Sequence, residues 1–126
     1  MGITKVTVGI RNLNKSKKGF EDIFLVDTGS IDCMAPASKL KKAGILPEGK
    51  HVYQLANGQD VEYEYGFDRV SFIGHETVAQ IIFGPAGVEP ILGVVALENA
   101  NIMVDPVSRT LKSVPTKHLK KLIFKK

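Results

Sequence analysis

Among the side chains able to do chemistry, Asp27 has the most unusual setting. It ends the apolar run Phe24, Leu25, Val26 and is followed by Thr28, Gly29 and Ser30, giving FLVDTGS. A continuous apolar run reads as a buried strand, so this carboxylate is expected where a strand stops and a turn begins. An ionised carboxylate beside a core costs stability unless it is hydrogen-bonded or its pKa moves, and function is one reason to tolerate that cost. An ordinary turn is the other reading, because Asp and Gly are favoured turn residues. Cys33 lies close by, but nothing beside it in sequence would activate a thiolate, and a small buried hydrophobe is the commoner fate of a free cysteine. His51, His75 and His118 are scattered without ligand spacing and Cys33 stands alone, so neither a metal nor a cofactor is expected.

The elements that must position Asp27 read as strands. Thr4 to Ile10 alternates, with Val6, Val8 and Ile10 on one side, and RNLNKSKKG (Arg11 to Gly19) connects it to a strand from Phe20 to Val26. This hairpin delivers Asp27. Pro36 suits the first turn of a short helix reaching Ala43, with Leu40 turned inward and Gly44 able to stop it in a left-handed conformation. Val52 to Tyr65 reads as a hairpin about Asn57-Gly58, a pair suited to the positive φ angles of a type I′ turn. On its far side Val61, Tyr63 and Tyr65 alternate with Asp60, Glu62 and Glu64, giving one apolar and one acidic face. Strands follow at Asp68 to Ile73 and Glu76 to Phe83, joined at Gly74-His75. A last hairpin pairs Ile102 to Val104 with Thr110 to Val114 about DPVSR. Many short strands and few helices predict an all-β fold, a small closed β-barrel with one or two short helices.

The chain of 126 residues fits one domain, expected over residues 1–116, and a basic tail over residues 117–126. The net charge of +4 resides in that tail: Lys117, Lys120, Lys121, Lys125 and Lys126 contribute five, leaving about −1 for the body. A basic tail can meet nucleic acid, but a solvated terminus is commoner, and a nucleic-acid partner is disfavoured. Leu119, Leu122, Ile123 and Phe124 suit packing on the body or on a partner better than full solvation. The N-terminus lacks a charged leader with an apolar core, and the longest apolar run is too short to span a bilayer. With a single cysteine, a reducing cytoplasm and no membrane partner are expected.

A second stretch changes the weight of the first. PILGVVAL, Pro90 to Leu97, places two apolar residues before a glycine at a distance from FLVDTGS that resembles the paired signatures of retropepsin-like aspartic proteases. LANG (Leu55 to Gly58), LEN (Leu97 to Asn99) and VDP (Val104 to Pro106) are similar to the small single-domain prokaryotic type, the clan AA aspartic proteases. The resemblance covers nearly the whole chain. It implies an aspartic endopeptidase that hydrolyses a peptide or protein substrate through a water held between two carboxylates. Since the chain supplies one such aspartate, it also implies a homodimer with Asp27 beside its symmetry mate. Two charges about 4 Å apart repel by roughly 4 kcal/mol at an effective dielectric near 20. One shared proton is the established behaviour of such pairs in aspartic proteases generally.

The resemblance assigns further roles. Thr28 would bond across the two-fold axis, Gly29 would admit substrate backbone, and Ser30 would hydrogen-bond near Asp27 or within its own turn. The hairpin would be the flap over the substrate, with Leu55, Ala56, Asn57, Gly58 and Tyr63 at or near bound peptide. Asp32 would meet substrate or remain a solvated turn acid. Ile91, Leu92 and Gly93 would form the structural second motif, with a short helix over Val94 to Asn99. Retroviral relatives place an acid where this chain has Ile31 and an arginine where it has Val94. Losing both charges together keeps packing consistent, since one unpaired buried charge is far more costly. The competing reading is a catalytically inactive dimeric module of the same fold that binds peptides or scaffolds.

Overall fold

The structure is a computed structural model and describes residues 4–115. The basic tail expected over residues 117–126, with His118 and the apolar residues 119–124, lies outside the described residues. Among the described residues the fold is all-β with two short helices: β1 (Thr4–Arg11), β2 (Phe20–Asp27), β3 (Cys33–Pro36), α1 (Ala37–Lys42), β4 (Gly49–Gln54), β5 (Asp60–Phe72), β6 (His75–Gly84), β7 (Ile91–Gly93), α2 (Val94–Asn99), β8 (Ile102–Asp105) and β9 (Thr110–Ser113). Neither helix is long and apolar enough to cross a membrane.

β1 and β2 form the antiparallel hairpin that the alternation predicts, with Val6 opposite Phe24 and Ile10 opposite Phe20. Seven strands make one sheet in the order β1-β2-β7-β3-β6-β5-β4, and β1 pairs also with β5, Ile10 opposite Val70. Val8, Ile10, Phe24, Val70, Ile81 and Leu92 are fully buried between these strands. β8 and β9 form a separate two-stranded sheet, with Ile102 buried in the same core.

The crossing around β7 positions the site. β7 runs parallel to β2 and lies between β2 and β3, so the chain leaves β2 at Asp27, passes the end of β7 and returns as β3 on its far side. The connecting loop takes the first amides of α2 as donors: Val94 N–H donates to the Ser30 carbonyl at 2.8 Å and Val95 N–H to that of Ile31 at 3.3 Å. Backbone donors that a helix start leaves open are thereby satisfied by the loop itself.

Two turns differ from expectation. At Asn57-Gly58 only the glycine has a positive φ (+86°), and the register runs from Gln54 to Asp60, so a five-residue loop replaces the two-residue type I′ turn. The Asn57 carboxamide explains this, since its Oδ1 accepts the Gln59 N–H at 2.9 Å while Gly58 N–H donates to Leu55 O at 2.9 Å, a local turn that needs no left-handed Asn. The left-handed pair occurs instead at Ile73 (φ 40°) and Gly74 (φ 80°), where Phe72 pairs with His75. The helix after Pro36 starts at Ala37, with Leu40 buried and Gly44 at φ +84° beyond its end.

Candidate active site

Asp27 is the last residue of β2 and sits in parallel register with Gly93, the last residue of β7. Its side chain is half-buried and held by its own loop. Gly29 N–H donates to Oδ1 at 3.0 Å and the Ser30 hydroxyl to Oδ2 at 3.1 Å, while Ser30 N–H closes the turn on the Asp27 carbonyl at 3.0 Å. Each carboxylate oxygen therefore has one donor and a fixed orientation, with lone pairs left for a water or a substrate group. Of the two readings for the Ser30 hydroxyl the structure shows the contact with the carboxylate, while the turn is closed by the Ser30 backbone.

Gly93 has a steric reason. A Cβ there would lie 2.5 Å from the Asp32 carbonyl oxygen and 2.6 Å from that of Ile31, so the loop backbone occupies the space of a side chain. Leu92 is fully buried and Ile91 is half-buried beside Leu25 and Met34. Thr28 and Gly29 form the exposed tip of the loop. Thr28 also lines an apolar cavity of about 340 Å³ together with Val94, Leu97, Met103, Val104 and Arg109. Among the described residues its hydroxyl has no hydrogen-bond partner.

Asp32 is not a solvated turn acid. It is half-buried, and its Oδ2 accepts two neutral donors, the Tyr53 hydroxyl at 3.1 Å and the Gln80 amide at 3.0 Å. Burial and the adjacent Asp32 carboxylate push the Tyr53 phenol up to about 12, so it stays a proton donor at neutral pH. This cluster joins the loop after Asp27 to the hairpin strand β4 and to β6. Sequence reasoning missed Tyr53 and Gln80. The signal was available for Tyr53, which shares a hairpin face with Val61 and Tyr63, but nothing local pairs Asp32 with Gln80 across 48 positions.

The hairpin tip behaves differently from its base. Leu55, Ala56, Asn57 and Gly58 are exposed, and the hydrogen bonds of the tip run within the turn. Tyr63 is half-buried, packed against Tyr53 with ring centroids 6.2 Å apart. His51, on the same face, stacks on Tyr65 at 4.3 Å, a position consistent with a packing role. Cys33 is buried, with its thiol pushed up to about 12 chiefly by burial, which keeps it protonated and unreactive. Among the described residues no group of three or more His, Cys, Asp or Glu side chains could hold a metal ion.

No protein-family model matches the sequence, and no curated protein does. Solved structures do. The chain is similar to a retropepsin-like aspartic protease. That protein, from Rickettsia conorii, shares 14% sequence identity at a TM-score of 0.49, the match covering 82% of this chain and 85% of the other.

Proposed function

We propose that the chain is a retropepsin-like aspartic endopeptidase in which two copies of Asp27, one from each protomer of a homodimer, hold and activate the water that attacks a peptide bond. The observation that carries this reading is the state of Asp27: a carboxylate at the mouth of a strand crossing, oriented by Gly29 N–H and Ser30 Oγ–H and left accessible beside an exposed loop tip. The Gly29 contact alone is that of an ordinary turn, as at Asn57 and Asp105; the Ser30 hydroxyl on the second oxygen and the parallel register with Gly93 set Asp27 apart. One carboxylate cannot serve as both base and acid within one step, so the chemistry requires a second, and two-fold symmetry supplies it.

Three further features support the same reading. The exposed Thr28 has a free hydroxyl among the described residues and borders an apolar cavity, as suits a loop that meets its own copy. The β1–β5 pairing brings the sheet back toward its first strand, the arrangement a closed barrel needs. The β4–β5 hairpin presents Tyr53, Val61, Tyr63 and Tyr65 on one face, fit to cover an extended peptide and exclude water, with its exposed tip as the moving part. In this reading residues 1–116 form the protease domain and residues 117–126 a basic tail.

Mixing wild type with Asp27→Asn tests the shared site. If each active unit needs two Asp27 carboxylates, activity falls as the square of the wild-type fraction once subunits exchange. A linear fall would mean that one protomer suffices.

A further inference from the structure

Among the described residues Glu21, Asp27, Asp32, Glu48, Asp60, Glu62, Asp68 and Glu98 have no lysine or arginine nitrogen within 4.0 Å, and of these Asp32 is the one whose half-buried carboxylate is held by side chains from other strands. Its partners are the neutral Tyr53 hydroxyl and Gln80 amide, both on Oδ2. They fix the carboxylate without neutralising it. Oδ1 has no hydrogen-bond partner among the described residues, and it is not sealed from solvent, as both oxygens of Asp68 are.

Its place in the sheet gives that charge a use. Gly93 is in register with Asp27 on one side and, lacking a side chain, lies against the Asp32 backbone on the other. Cys33 pairs with Ile81, which sets Asp32 beside Gln80 on the next strand. Asp27, Gly93, Asp32 and Gln80 thus form one lateral row across β2, β7, the start of β3 and β6. Asp27 and Asp32 flank β7 on opposite sides, so by strand spacing they stand about 10 Å apart, roughly the span of three residues of an extended peptide.

We propose that Asp32, held by Tyr53 and Gln80, makes the site select peptides with a lysine or arginine side chain within three residues of the cleaved bond. This rests on the protease reading. A substrate ammonium or guanidinium supplies the countercharge that the protein withholds, through a charge-assisted hydrogen bond to Oδ1, while an acidic side chain at the same position is repelled. Tyr53 and Gln80 are positioning residues. Because Tyr53 belongs to β4, a cation on Asp32 also bears on the strand that carries the hairpin.

The test walks lysine, norleucine and glutamate through each position within three residues of the cut in a single cleaved peptide. At one position wild type is expected to favour lysine over norleucine by roughly tenfold to a hundredfold in kcat/KM, and to disfavour glutamate. Asp32→Asn is expected to remove the ratio, and Tyr53→Phe to narrow it through KM. Equal cleavage of lysine and norleucine peptides at every position overturns the inference and leaves the protease standing, as does a ratio that survives in Asp32→Asn. Should Asp32→Asn not fold, the wild-type ratio is measured from about 0.05 to 0.5 M salt, where screening must erode it; a constant ratio contradicts the proposal. If no peptide is cleaved, calorimetry of the same peptides with Asp27→Asn separates the two claims. A lysine preference in binding then upholds the Asp32 inference without the protease, and its absence overturns it.

Discussion

Asp27 and Gly93 end two parallel strands side by side, and the missing side chain of Gly93 is the space through which the loop after Asp27 passes. Gly93→Ala would force the Ile31 and Asp32 carbonyls away from α2, which takes its first hydrogen bonds from the same loop. The substitution is expected to cost about 1–3 kcal/mol in urea unfolding, since backbone rather than a flexible side-chain tip must move. Activity should fall by more than the folded fraction does, because the moved segment is the one that orients Asp27. A fully stable, fully active Gly93→Ala protein would show that the crossing does not set the site.

The second prediction concerns an acid remote from any proposed chemistry. Asp68, on β5 opposite Ala79, is fully buried, and among the described residues neither carboxylate oxygen has a hydrogen-bond partner. Burial therefore raises its pKa well above the ordinary 3.8. Below about pH 4 folded and unfolded chains both hold this proton; at higher pH the unfolded chain releases it and the folded chain keeps it, so stability falls as pH rises toward the folded value. Asp68→Leu is expected to flatten that slope and to stabilise the protein at pH 7 by about 1–3 kcal/mol, the cost of an unsatisfied buried polar group. Urea midpoints at pH 5 and pH 7 for both proteins check it, and parallel slopes would contradict it.

The third lies in the β5–β6 turn. Ile73 is β-branched and holds φ at 40°, in the left-handed region that such residues avoid, at a position that is 45% exposed and makes little use of its side chain. Ile73→Asn is expected to stabilise the fold by about 1 kcal/mol, since Asn accepts that conformation. Thermal unfolding should rise by several degrees. An unchanged or lower midpoint would mean that the Ile73 side chain contributes packing that outweighs its strain.

Much of the strand framework was legible because the signals were local. The alternation of Val6, Val8 and Ile10 and the apolar run into Asp27 each fall on the element expected for them, and the helix over Val94 to Asn99 falls where the family resemblance, not a local signal, placed it. The turn at Asn57-Gly58 was misread because the dipeptide reports tolerance for positive φ, not its use, and the Asn57 side chain satisfied the turn by another route. Ile73 could not be anticipated for the opposite reason: strand pairing imposed on it a conformation that its own chemistry opposes. Asp68 shares a face with Val70 and Phe72 at a spacing of two, so its burial was implicit in the alternation, but a carboxylate there argued against the reading that the packing enforces. The candidate site divides in the same way. The contacts of Asp27 with Gly29 and Ser30 lie within three residues, whereas Asp32 depends on partners 21 and 48 positions away, which only the sheet order brings together.

The most direct measurement is cleavage of an unbiased peptide mixture from about pH 4 to 7.5, comparing wild type with Asp27→Asn across a dilution series, the range in which a coupled carboxylate pair can act. Two Asp27 carboxylates sharing one water predict cleavage by wild type alone, strongest on the acid side, and rising more than linearly with protein concentration where the dimer dissociates. Equal background from both proteins, under conditions where sedimentation shows the dimer intact, would contradict the account and leave a module that binds peptides without cutting them.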